Sequence, residues 1–266
     1  TNAGPSQAES ATVTAPSSTV DTEGYLFFNC HITGSKTSTS GSFGRPWGAN
    51  GGPAAHYINT IIDNAGSGGG KLIGSAGWSA MSGNKPENAR FGEYNSIDSS
   101  GNKIDTSGRT KGTILNEWTM LRYNPLTFTL GNDGWDPAGL ISTYADVNNV
   151  LNTTTIDTSD STTNEIALPQ APSGYEFKWE SVSEFAKVSS DGTKVTLIRP
   201  AFGEQPIDAA IKLYVRESGN KEIGAEKSIK FSILPTSDTE NVFNVSGTVT
   251  LSKVSDAEQT INIIFK

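Results

Sequence analysis

Short runs of β-branched and aromatic residues, bounded by Gly, Ser, Asn and Pro, predict an all-β chain. An Asn-centred motif recurs in the first hundred residues, as "FFNCHITG" (27–34), "YINTIIDN" (57–64) and "EYNSIDSS" (93–100). After residue 164 come well-punctuated strands with apolar alternation. These observations predict coils of a parallel β-helix, then a β-sandwich and a short extra β segment.

The repeat carries the first part of that prediction. Asn29, Asn59 and Asn95 are spaced by 30 and 36 residues, and Gly, Ser, Pro and Asn-rich loops fill the gaps. Strands at this interval place Asn side chains where they can stack from coil to coil. An ordinary sandwich with irregular spacing is the other reading of the same periodicity. Helical spacing is found in "TILNEWTMLRY", where Leu115, Trp118 and Leu121 share one face, so a short helix or helical turn is expected there. Residues 1–151 are assigned to this region.

Residues 152–163, "NTTTIDTSDSTT", hold one strongly apolar side chain, Ile156, and read as a linker. Residues 164–233 read as a separate sandwich, with "SDGTK" as a hairpin turn. In "YEFKW", alternation puts Tyr175, Phe177 and Trp179 on one face, the expected core side. Residues 234–266 read as a partial β module or an extension of that sandwich.

Composition narrows the function. The chain has 266 residues, net charge −8 and 20 scattered Lys and Arg, which supply no cationic block for nucleic acid. There is no apolar run long enough to span a bilayer, and "TNAGPSQAES" has neither a basic region nor an apolar h-region. It also lacks a starting Met, so the chain is expected to be an interior or processed piece. One cysteine, Cys30, excludes a disulfide framework. Nothing calls for assembly beyond a monomer.

Several motifs fail on inspection. "GSGGGKL" has Ala65 and Leu72 where a phosphate loop needs Gly and Ser or Thr. "GWSAM" has Met81 where a nucleophile elbow around Ser79 needs Gly. With only His31 and His56, histidine chemistry has little material, and adjacent Cys30 and His31 on one strand would point to opposite faces. Cys30, in phase with Phe28, reads as core. Asp133 and Asp136 in "GNDGWDPAG" lack the ligand series of a calcium loop and read as a turn. No metal and no cofactor are expected.

"GSFGRPWG" (41–48) remains. Pro46 fixes its own φ and extends Arg45, so Arg45 and Trp47 should project to one side. A guanidinium fork beside an indole plate suits a sugar carrying a carboxylate. A Trp packed on an Arg stem is the structural alternative.

"GYLFFNCHITG", "FGRPWG", "HYINTII", "SAGWSAM" and "ARFGEYNSID", in that order over residues 24–98, resemble the C-terminal half of the pectin methylesterases (pectinesterases) of carbohydrate esterase class 8; residues 111–139 resemble their closing segment. The resemblance implies C-terminal coils of a right-handed parallel β-helix and metal-free hydrolysis of galacturonate methyl esters in pectin. An aspartate attacks, a second acts as general acid and base, and glutamine amides hold the oxyanion. It implies that Arg45 supports the nucleophilic aspartate and that Trp47 binds the sugar, with Trp78 and Met81 near the substrate cleft. The catalytic Gln-Asp-Thr-like and Asp-Phe-Ile-Phe-Gly-like segments are not in this sequence and are expected upstream of Thr1. The fragment alone is expected to be inactive. Residues 164–233 resemble the atrophied bacterial immunoglobulin-like modules of secreted carbohydrate enzymes, which implies a secreted or cell-surface bacterial protein.

A second hypothesis is a non-catalytic glycan-binding or adhesion protein with Trp47 and Trp78 as stacking platforms. A β-helix polysaccharide lyase ranks last, because its calcium carboxylates and basic residues cannot be assembled here.

Overall fold

The computed structural model describes residues 12–34, 41–48, 51–63, 72–109, 112–130, 133–136, 138–158 and 163–236. The expected β segment at 234–266 lies almost entirely outside them. The described chain is mostly β-sheet with few helices.

The first part is built of tiers. The first tier holds β1 (Thr12–Thr14), β2 (Tyr25–Phe28) and β3 (His31–Ile32); the second holds β4 (Ser42–Gly44), β5 (Ala54–Ile58) and β6 (Ile61–Ile62). In the third, bridges at Ile73 and Trp78 precede β7 (Arg90–Tyr94) and β8 (Ile97–Asp98), and β9 (Thr113–Ile114) follows. Equivalent strands pair parallel: β1 with β4, β3-β6-β8 in one sheet, and β2-β5-β7-β9 in another.

The recurring asparagine turns the chain between two of these sheets. Asn29, Asn59 and Asn95 have φ of 52°, 52° and 51°, a left-handed geometry that Asn tolerates better than other side-chain-bearing residues. "FFNCHITG" is therefore two strands around a corner, and Cys30 lies half-buried just past that corner, outside either strand. Asn95 Nδ2 donates to Asn59 Oδ1 at 3.0 Å, and the Asn59 N–H donates to the Tyr94 carbonyl at 3.0 Å. Each tier thus repeats the corner of the one before it.

Aromatic rings fill the space between the sheets. Phe27 stacks on Tyr57 at 4.4 Å, and Trp78 stacks on Phe91 at 4.3 Å. Phe43 joins them, and Leu72 and Ile73 close the cluster. The position in register with Tyr57 is Glu93, whose carboxylate takes Arg109 Nε at 2.7 Å. The other end of the Arg109 fork donates to Gly74 and Ser75 carbonyls, so this almost fully buried pair is satisfied.

The other face of the β5 sheet is covered as well. "TILNEWTMLRY" forms β9, a turn in which Asn116 Oδ1 accepts from Trp118 and Thr119 N–H groups, and a 3-10 helix Thr119–Tyr123. Leu121 is buried with Met120, Ile58 and Tyr214, and Leu115 and Trp118 pack against them, as the three-residue spacing predicted. His56 stacks on Tyr123 at 3.7 Å.

Two helices follow. Asn124 caps α1 (Pro125–Thr129) by accepting the Thr127 N–H. The fourteen-residue α2 (Leu140–Thr153) was not anticipated, because its Ile, Thr, Val and Asn are weak helix formers. Its signal was the stripe Tyr144, Val147 and Leu151, which is buried.

The second part has two antiparallel sheets. One is ordered β10 (Glu165–Ala167), β13 (Lys194–Leu197), β12 (Ala186–Val188). The other is ordered β11 (Tyr175–Ser181), β14 (Ile207–Glu217), β15 (Gly224–Ile233). "SDGTK" joins β12 to β13: Asp191 accepts from the Ser189 hydroxyl and the Thr193 N–H and hydroxyl, which hold its carboxyl at about 2, the Ser189 bond contributing most. Trp179 is buried in the core, with Tyr175 and Phe177 against it. Val147 and Leu151 of α2 share this core, and Ile156 packs on it; Lys227 Nζ donates to the Thr154 carbonyl at 2.8 Å. The polar stretch 152–163 therefore begins with residues held to this second part.

Arg216, 3% exposed, ties the two parts together. Its guanidinium lies 3.7 Å from the Trp118 ring centroid, with Glu176 at 2.7 Å and Glu117 at 3.1 Å.

Candidate functional site

β4 ends at Gly44, and the next three residues leave the tier along its flank. The Arg45 N–H donates to the Thr14 carbonyl at 3.1 Å and the Trp47 N–H to the Pro16 carbonyl at 2.9 Å, extending the β1 pairing. Burial alternates: Arg45 is exposed, Pro46 buried, and Trp47 59% exposed. Extended backbone alternates in this way, and Pro46 enforces extension at Arg45. Among the described residues the Arg45 guanidinium makes no ion pair or hydrogen bond. This is a cation and an aromatic plate side by side, both open to solvent.

The root of the turn is tied by hydrogen bonds. The Tyr57 hydroxyl donates to the Phe43 carbonyl at 2.8 Å, and burial raises the Tyr57 pKa far above the usual phenol range, so it remains a donor. Hydroxyls of Thr12, Ser42 and Ser79 run from tier to tier at 3.3 and 3.1 Å, so Ser79 is a member of this row.

Trp78 departs from expectation. It is 3% exposed, stacked on Phe91 and edge-on to Tyr57, so it packs the core and forms neither a cleft wall nor a stacking platform. The physical reason lies in register: Trp78 pairs with Gly44, where an added Cβ would come within 3.3 Å of its ring, so the indole fills the space that glycine leaves. Met81 is half-buried in a tight turn closed by reciprocal backbone bonds with Asn84.

In the sequence Arg90 stands out only as part of "ARFGEYNSID". Its guanidinium gathers the carbonyls of Thr19, Thr22, Gly51 and Gly52, next to the Arg45–Trp47 turn. Only the fold reveals this role, because those partners lie up to 71 residues away.

Other polar groups are already engaged. Asp136 receives the N–H groups of Leu140 and Ile141, both at 2.8 Å, and anchors the start of α2; Asp133 closes a turn on the Trp135 N–H. His31 and Asp63 pair at 2.9 Å on the surface. No group of three His, Cys, Asp or Glu side chains positioned to hold a metal occurs among the described residues. A cleft of about 520 Å³ separates the two parts, but Arg122 there faces Glu23 and Lys212 faces Glu226. Its charges are compensated and no aromatic side chain among the described residues lines it, so its chemistry is weaker than that of the Arg45–Trp47 turn despite its size.

Behind the β5 sheet, His56 is held neutral. Burial, then the charges of Arg122 and Arg90, push its pKa down to about 3. Comparison of the chain with family models, curated proteins and solved structures returns no match in any of the three.

Proposed function

We propose that this chain is the C-terminal portion of a pectinesterase. Its tiers are the closing coils of a right-handed parallel β-helix, and its sandwich is an appended immunoglobulin-like module. The observation that carries the reading is the turn itself: Arg45 and Trp47, exposed on either side of buried Pro46, with a guanidinium that pairs with no described residue. The ordered motifs support it. "FFNC", "HYINTII" and "EYNSID" each occupy the same strand and corner in successive tiers, and "GRPW" leaves the flank of the second.

The chemistry follows from the residue types. Arg45 stabilises the ionised form of a nucleophilic aspartate supplied by residues outside this chain, and Trp47 offers its face to the apolar side of a galacturonate ring. The general acid and the oxyanion donors come from those residues too. Alone, the chain binds polygalacturonate and does not hydrolyse the methyl esters of pectin.

Two measurements test this. Titrating the chain with galacturonate oligomers should quench tryptophan fluorescence saturably, whereas a neutral glucan should not; no binding at millimolar oligomer would sink the sugar-site assignment. Joining upstream sequence with the two missing catalytic segments should restore methanol release from esterified pectin. In that protein Arg45→Ala should lower kcat by roughly 10²-fold or more.

A further inference from the structure

Arg90 is a cation with an unusual set of partners. It opens β7 and pairs with no carboxylate among the described residues. Its Nη2 lies 2.7 Å from the Thr19 carbonyl, 2.7 Å from that of Thr22 and 2.8 Å from that of Gly52, and its Nε donates to the Gly51 carbonyl at 3.0 Å. Thr19 and Thr22 belong to the segment that follows β1; Gly51 and Gly52 belong to the segment that follows Trp47. One guanidinium therefore clamps two loops from adjacent tiers, using the planar fork that a lysine lacks.

The same two segments meet at other points. The Trp47 N–H donates to the Pro16 carbonyl, the Ser18 hydroxyl donates to the Gly52 carbonyl at 2.9 Å, and the Ala54 N–H donates to the Ser18 hydroxyl at 2.9 Å. Gly52 is held so close that a Cβ there would lie 2.5 Å from the Ser18 carbonyl oxygen. The loop from Pro16 to Thr22 is the platform against which the Trp47 backbone rests, and Arg90 is the group that ties this platform to the strand beneath.

We propose that Arg90 is a positioning residue for the Arg45–Trp47 surface, acting through the 16–22 and 51–53 segments without touching the ligand. The ligand-binding consequence rests on the sugar-site reading above; the ordering of the loops does not.

The experiment is amide hydrogen exchange on the whole chain together with galacturonate-oligomer titration, for wild type, Arg90→Gln, Arg90→Lys and Ser18→Ala. In Arg90→Gln the amides of Trp47 and Ala54 should exchange about tenfold faster or more, those of Tyr57 and Ile58 should not change, and oligomer affinity should fall about tenfold. Arg90→Lys should keep the melting temperature closer to wild type yet leave the loop amides fast, because an ammonium cannot reach four carbonyls. Ser18→Ala removes the Ala54 acceptor itself, so it should speed Ala54 and leave Trp47 near wild type. Unchanged Trp47 and Ala54 exchange in folded Arg90 variants overturns the proposal. If Arg90→Gln fails to fold, wild-type Trp47 and Ala54 exchange in Arg90→Lys overturns it equally. Absence of oligomer binding by the wild-type chain overturns the sugar-site reading instead, and the exchange data still decide the role of Arg90.

Discussion

Replacing Asn59 tests the tiered architecture at its corner. Asn59 sits at φ 52°, and its amide oxygen accepts from Asn95 at 3.0 Å. An alanine there must adopt the left-handed region with an ordinary Cβ, which costs roughly 1–2 kcal/mol. It also removes the acceptor of a part-buried hydrogen bond, costing about 1 kcal/mol. Asn59→Ala should therefore destabilise by about 2–3 kcal/mol. Asn59→Gly relieves the backbone term but loses the bond and gains freedom in the unfolded chain, for a total of roughly 1.5–2 kcal/mol. Asn59→Asp keeps both the acceptor and the tolerance for positive φ and should cost under about 1 kcal/mol. The assay is urea unfolding followed by far-UV circular dichroism, with the m-value checked for constancy. The order Asp, Gly, Ala of increasing loss is the result expected. Asn59→Ala losing less than about 1 kcal/mol, or no more than Asn59→Gly, would refute the left-handed corner as the element that sets tier geometry.

His56 makes stability depend on pH. Its folded pKa lies below its unfolded value of 6.5, so the folded chain binds fewer protons; stability is full above 6.5 and falls as pH drops toward 3. At pH 5 the loss should be about 2 kcal/mol, and His56→Phe, which keeps a ring on Tyr123, should abolish that part of the slope in urea melts at pH 7 and 5. An unchanged slope in the variant would assign the acid sensitivity elsewhere. Glu93→Gln leaves Arg109 buried beside a neutral partner and should cost about 3–5 kcal/mol by the same melts; Glu93→Leu with Arg109→Met should recover much of it. The two tryptophans should separate cleanly. Trp78→Ala should cost about 3–5 kcal/mol, whereas Trp47→Ala should change stability by under about 0.5 kcal/mol and remove oligomer binding.

What could be read from sequence was short-range. The Asn corners, the Asp191 turn, the alternation in "YEFKW" and the exposed geometry around Pro46 depend on dihedral preferences and on neighbours a few residues away. α2 escaped because its weak intrinsic propensity is overridden by burial of Val147 and Leu151 in the core shared with β14 and β15, strands that come more than about 50 residues later.

The sequence by itself determined that strands recur with an asparagine at each corner and that Arg45 and Trp47 emerge together. Tertiary structure decided which aromatic faces water. Trp47 and Trp78 are chemically identical, yet one follows a buried proline at the edge of a tier and the other fills the gap over Gly44. It also decided that Glu93 meets Arg109 across 16 residues and that Arg90 reaches back 71 residues to the loop beneath Trp47. Burial and charge pairing depend on which tiers stack in register, and no local preference encodes that.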